Sequence, residues 1–187
     1  MVKGLEIFKL FFRDYAEKYI LIGGAACDIL FTEAGLPFRA TKDLDIVLVV
    51  EALDTEFIRR FWEFVENGAY EFRQKSERQR KYYRFLKPKQ KDFPEQLELF
   101  ARNPDLLDLK ENAHLTPIPV KDDISSLSAI LMNNDYYDFV RKQSSMVNGL
   151  HIATIEALIC LKAKAFLDLL SLKEEGVRVD KRDIKKT

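Results

Sequence analysis

Two aspartates separated by one leucine, Asp43-Leu44-Asp45, stand at the entry of the most strand-like segment of the chain, Thr41-Lys-Asp-Leu-Asp-Ile-Val-Leu-Val-Val50. Alternation along a strand sends both carboxylates to one face, with backbone positions ~6.6 Å apart, and turns Leu44 inward. Converging carboxylates at that spacing grip hard divalent cations. In phosphoryl and nucleotidyl transfer such ions work in pairs, ~3.5–4 Å apart, and stabilise the attacking and leaving oxygens. The bland reading is a solvated strand start whose charges discourage edge pairing.

Gly23-Gly24 follows the apolar run Tyr19-Ile-Leu-Ile22 and precedes a helical stretch. Glycines at a strand-to-helix turn let backbone N–H groups approach a phosphate at the helix N-terminus. An ordinary tight turn has the same sequence, so the weight lies in the conjunction of glycine turn, helix and Asp-x-Asp strand. In Leu97-Glu98-Leu99-Phe100 a single carboxylate interrupts an apolar run. Glu98 either completes a metal cage with Asp43 and Asp45 or takes the solvent face of an alternating strand. Glu95, next to Pro94, is the poorer choice.

Several elements must position these groups. Leu5, Phe8, Phe11, Phe12 and Tyr15 share one face of a helix predicted over 5–18. Tyr19–Ile22 reads as a buried strand and residues 25–34 as a helix. Asp54 or Thr55 caps a helix through about Asn67, with Phe57, Phe61, Phe64 and Val65 inward and Gly68 ending it. Strands are expected near 69–75, 80–87 and 95–101, the first two as a hairpin. A polar connection over 102–122 carries one short strand around Leu115–Val120, and helices come after it over about 126–142 and 153–173. The fold class is α/β (α+β): a small mixed sheet, residues 1–122, with a helical C-terminal region, 123–187, completing the cleft. There is no G-x-G-x-x-G, and strand–helix alternation is too sparse for a Rossmann domain.

Thirty basic residues balance thirty acidic ones in 187, so the formal net charge is zero. That argues against a specific duplex-DNA binder, which shows a basic excess. Cys27 and Cys160 lie in apolar helical surroundings, and two buried thiols fit a reducing cytoplasm. Met-Val-Lys-Gly-Leu-Glu lacks a signal-peptide core, and no run approaches the ~20 apolar residues that span a bilayer. The expectation is a soluble, cytoplasmic protein without a membrane partner.

The arrangement Leu21-Ile22-Gly23-Gly24, helix, Thr41-Lys42-Asp43-Leu44-Asp45-Ile46 resembles the nucleotidyltransferase superfamily of DNA polymerase β-like folds. That resemblance implies a nucleotidyltransferase fold in which Gly23, Gly24 and Thr41 serve nucleoside triphosphate binding. It implies that Asp43, Asp45 and a third carboxylate, Glu98, bind two Mg2+ ions, with Mn2+ as a substitute. Within the superfamily the chain most resembles the AbiEii type, the toxin half of type IV toxin–antitoxin systems. Leu158-Ile-Cys-Leu-Lys162-Ala-Lys-Ala165 is similar to that family's lysine-bearing helix, and Asp180-Lys-Arg-Asp183-Ile184 to its D-x-x-D-I motif.

The resemblance also implies transfer of an NMP from an NTP to an acceptor: tRNA, a protein or a small molecule. An antitoxin partner would go with it. Lys162 would balance phosphate charge, and Asp180 or Asp183 would orient that lysine or the acceptor hydroxyl. On the bland account Lys162 and Lys164 are a wet helix edge and Asp180 is an N-cap. Eighteen residues separate Gly24 from Asp43, an enlarged loop for the family. The sequence stops at Thr187, just past the D-x-x-D-I segment, which favours the alternative of a catalytically silent fold acting as a binding or regulatory partner.

Other groups draw weaker readings. Arg73, Lys75, Arg78, Arg80, Lys81 and Arg84 form a basic cluster beside Tyr82 and Tyr83, suited to guiding a nucleotide or RNA backbone or simply to a solvated hairpin. His114 and His151 have no second ligand at metal spacing. Tyr136, Tyr137 and Phe139 read as packing residues.

Overall fold

In the computed structural model, which describes residues 2–71, 82–100 and 133–175, six strands form one mixed sheet. In chain order they are β1 (Tyr19–Ile22), β2 (Asp43–Leu48), β3 (Tyr82–Leu86), β4 (Gln96–Phe100), β5 (Ser144–Val147) and β6 (Leu150–Ala153). The spatial order is β3-β4-β2-β1-β6-β5. The β1–β2, β3–β4 and β5–β6 pairs are antiparallel, whereas β2–β4 and β1–β6 are parallel. The described helices are α1 (Leu5–Phe11), α2 (Gly23–Glu33), α3 (Thr55–Gly68), α4 (Asn134–Lys142) and α5 (Ile155–Glu174). The mixed α/β class expected from the sequence is the class observed.

Registers divide the sheet into two faces. One carries Tyr19, Leu21, Leu44, Ile46, Leu97, Leu99 and Phe85, all buried. Aromatics of α1 and α3 cover it. Phe8 meets Tyr19 edge-on with centroids 5.1 Å apart, and Phe61 lies 5.7 Å from Phe85. α3 forms because Asp54 accepts from the Phe57 N–H at 2.8 Å, and because Phe57, Phe61, Phe64 and Val65 recur at helical spacing. Fully burying each such ring contributes about 1.5–3 kcal/mol. α3 ends at the glycine singled out in the sequence, and its cap, Ala69, lies in the left-handed region at φ 48°.

The single helix expected over 5–18 is instead α1 followed by a 3₁₀ segment, Arg13–Lys18, with non-helical geometry at Tyr15. Tertiary packing overrides the period here. Phe11 and Phe12 are ~100° apart on an ideal helix, yet both must reach Phe64, whose ring centre is 5.2 Å from one and 5.3 Å from the other.

The region expected to be helical after Ser125 also contains a hairpin. β5 and β6 join through Asn148 and Gly149, both at positive φ (51° and 76°), the pairing that two-residue hairpin turns require. Leu21 pairs with Ile152, so this hairpin extends the same sheet. Of the strand expected over 69–75, the described part shows one bridge, Glu71 to Leu86. α4 matches the second half of the helix expected over 126–142; the first half lies outside the described residues, as does the strand expected at Leu115–Val120. The thiols differ from expectation: Cys27 is half-buried and Cys160 exposed, because α5 turns Cys160 away from the sheet. No helix among the described residues is long and apolar enough to cross a membrane.

Candidate active site

The second face of the sheet carries the acids. β2 and β4 run parallel with Asp45 opposite Glu98 and Asp43 opposite Gln96. Alternation along β2 and register across to β4 therefore put Asp43, Asp45 and Glu98 on one side, while Leu44, Ile46, Leu97 and Leu99 anchor the other. The acids grade in depth: Asp43 is exposed, Asp45 half-buried and Glu98 only 6% exposed.

β1 delivers the glycine turn to the same corner, since Ile22 pairs with Asp45. Gly23 has φ +61°, and a Cβ on it would lie 2.0 Å from Asp45 Oδ2. Only glycine lets the backbone press against that carboxylate. A Cβ on Gly24 would lie 2.7 Å from Thr41 Oγ1, so Thr41 seats against the same turn. α2 starts here with no side-chain cap, and its first N–H groups give the corner the partial positive charge of a helix N-terminus.

The Asp45 carboxyl is strongly perturbed. Part of the residue reaches solvent, but its carboxyl group is desolvated. Desolvation first, then Glu98 and Asp43, push its pKa up to about 8, against the opposing charges of Lys162 and Arg84. Lys162, half-buried on α5, thus acts on the acid corner across the α2–α5 contact. Its charge also reaches the Cys27 thiol, which burial pushes up.

Two polar neighbours hold Glu98. Arg84 Nη2 lies 2.7 Å from Glu98 Oε1, and Gln96 Nε2 donates to the same oxygen at 2.6 Å. Arg84 is the antiparallel partner of Glu98 across β3–β4, a relation visible only once the register is known. Gln96 is two residues before Glu98 on the same strand, so alternation could have found it.

The remaining candidate residues have other partners or other places. Glu95 pairs with Lys42 at 3.1 Å and Lys3 at 3.5 Å, away from the acid corner. Lys164 pairs with Asp168, one turn along α5. His151 bridges the Ala16 carbonyl and Ser144 Oγ, a packing role, and desolvation lowers its pKa. Tyr137 is buried and donates to Glu51 at 2.7 Å. An open groove of about 420 Å3 between α4 and α5, lined by Tyr136, Phe139, Cys160 and Leu167, contains none of the three acids. Asp180, Asp183, His114 and the basic cluster other than Arg84, Tyr82 and Tyr83 lie outside the described residues.

Three carboxylates on one face are hard-oxygen donors, the set that suits Mg2+ or Mn2+ rather than a thiophilic metal. The close seat of Gly23 on Asp45 Oδ2 and the unfavourable charge on Asp45 both fit a divalent cation at this corner. As the side chains stand, however, no three His, Cys, Asp or Glu among the described residues are gathered closely enough to hold an ion. The donor chemistry is present. The closed cage is not.

No family model matches the sequence, and no curated protein matches it. Among solved structures, one of a candidate nucleotidyltransferase from H. pylori is similar to this chain at a TM-score of 0.41 and 16% identity, over 91% of this chain and 67% of the other.

Proposed function

We propose that this chain is a metal-dependent nucleotidyltransferase that moves a nucleoside monophosphate from an NTP to an acceptor hydroxyl. The observation that carries the reading is the meeting, at one sheet corner, of Asp45, its register partner Glu98 and the glycine turn packed on the Asp45 carboxylate. An acid so poorly solvated and so crowded by like charge is costly unless a cation joins it. Functional sites are where proteins tolerate such costs.

In this reading Asp43 and Asp45 hold two Mg2+ ions, Mn2+ substituting, and Glu98 joins them or polarises the attacking hydroxyl. The ions when bound would neutralise phosphate charge and stabilise the entering and leaving oxygens. Gly23, Gly24 and Thr41, with the α2 N-terminus, cradle the triphosphate. Lys162 balances charge on the phosphates, and Asp183 orients the lysine or the acceptor. The acceptor oxygen forms a bond to the α-phosphorus, its proton passes to a carboxylate, and the bond to pyrophosphate breaks. The likeness of the Lys162 and Asp183 segments to AbiEii proteins supports a toxin acting on tRNA, a protein or a small molecule in the cytoplasm, held in check by an antitoxin.

The test is incorporation of labelled NMP from each NTP into RNA, protein and small-molecule acceptor pools with Mg2+. Asp43→Ala should abolish it. A second reading, a silent fold serving as a binding partner, is favoured by the occupied oxygen of Glu98 and the open cage. No incorporation, together with no Mg2+-dependent thermal shift, would establish that second reading instead.

A further inference from the structure

We propose that Arg84 is an internal cation that occupies the acid corner in place of metal and must leave Glu98 before a divalent ion is held there. The proposal rests on the reading that Asp43, Asp45 and Glu98 bind metal. Its support is geometric. Arg84 Nη2 sits 2.7 Å from Glu98 Oε1, with the two side chains only 17% and 8% exposed. Gln96 Nε2 adds a second donor to that oxygen at 2.6 Å.

Burial alone does not explain this pair. The next pair along the same two strands, Phe85 with Leu97, is apolar and buried, and an apolar pair is often as stable as a buried ion pair. What Arg84 does supply is a guanidinium charge with a planar set of donors. Held on Glu98 Oε1, it opposes a divalent ion at that carboxylate, because two like charges in one desolvated pocket repel. Its field also reaches Asp45, where it favours the ionised carboxylate.

The corner therefore has two competing states. In one, Arg84 neutralises Glu98, and the three acids do not close on an ion, as observed. In the other, metal takes Glu98, and the freed guanidinium turns to the nearest new anion. The phosphates of an arriving nucleotide suit its planar fork. Metal alone would bind weakly, because the competent state is only a fraction of the population and the apparent affinity falls by that fraction.

The experiment is Mn2+ binding to the full-length protein without nucleotide, followed by the electron paramagnetic resonance signal of free Mn2+. Arg84→Met, which keeps much of the volume and removes the charge, should bind Mn2+ ~10-fold more tightly than wild type. Lys42→Met serves as the control for a general field effect, since Lys42 pairs with Glu95 rather than Glu98. Equal affinity in wild type and Arg84→Met, weaker binding, or a gain matched by Lys42→Met would each overturn the proposal while leaving the metal site intact. Binding by neither wild type nor Arg84→Met would overturn the metal reading and this proposal with it. Should Arg84→Met fold poorly, the wild-type protein decides: the Arg84 side-chain resonance in a 15N spectrum should move on saturation with Mg2+. A resonance that stays in place while Mg2+ binds would show that the pair persists, and the proposal would be wrong.

Discussion

The two faces of the sheet are built on opposite terms. On one, Phe8, Phe12, Phe61, Phe64, Tyr19 and Phe85 interlock at ring separations of about 5–6 Å, above the buried apolar residues Leu21, Leu44, Ile46, Leu97 and Leu99. On the other, the same strands present Asp43, Asp45, Glu98, Gln96 and Arg84, with a desolvated acid against a bare glycine. Because strand side chains alternate, one backbone serves both. The aromatic face supplies the stability that lets the acidic face keep an arrangement unfavourable to folding.

Removing an aromatic should break that comparison most. Phe64 is fully buried and touches Phe8, Phe11, Phe12 and Phe93. Phe64→Ala is expected to cost about 3–5 kcal/mol in urea denaturation, enough to threaten the fold at 37 °C.

Gly23→Ala comes next. It meets both the positive φ and Asp45 Oδ2, for a cost of about 1–3 kcal/mol. Pairing it with Asp45→Ala should recover the part due to the collision, so a thermodynamic cycle in which the two costs simply add would deny the contact.

Asp45→Asn should act in the opposite direction, stabilising the metal-free protein. The folded-state pKa of Asp45, about 8, lies above its ordinary value of 3.8, so the native state holds this proton more tightly than the unfolded chain does. Stability is then fully present below about pH 4, declines as pH rises between 4 and 8, and is flat above. The neutral amide removes that decline. Thermal melts at pH 8 should show Asp45→Asn higher than wild type, with the gap closing towards pH 4. Mg2+ should raise wild type and leave the variant unmoved.

The smallest effect belongs to a polar group on the aromatic side. Tyr70 donates to the Pro94 carbonyl at 2.7 Å in a buried setting. Tyr70→Phe should cost about 1 kcal/mol in the same denaturation assay, with nucleotidyl transfer unchanged.

Local signals in the sequence suffice for the parts built from short-range chemistry. Asp54 with its helix, the Tyr19–Ile22 strand and the Asp43–Asp45 strand are legible because capping and alternation act within a few residues. The Asn148-Gly149 turn carries an equally local signal, but the helical composition expected on both sides of it masks the hairpin. By contrast, the break at Phe12 depends on where Phe64 lies, and Arg84 meets Glu98 only through strand register. Neither is encoded in spacing along the chain. Sequence proximity therefore groups Arg84 with a basic cluster, although its own partner is a buried acid.

The parallel ladder between β1 and β6 has a consequence for how the protein is made. Leu21 and Ile152 emerge from a ribosome far apart in time, so one edge of β1 stays unpaired through most of synthesis. Contacts between such distant segments slow folding, because a long loop must close before they repay its entropy. Until the late hairpin docks, an apolar strand with open hydrogen-bonding groups is exposed to other chains, and the nascent protein is most vulnerable to aggregation in that interval.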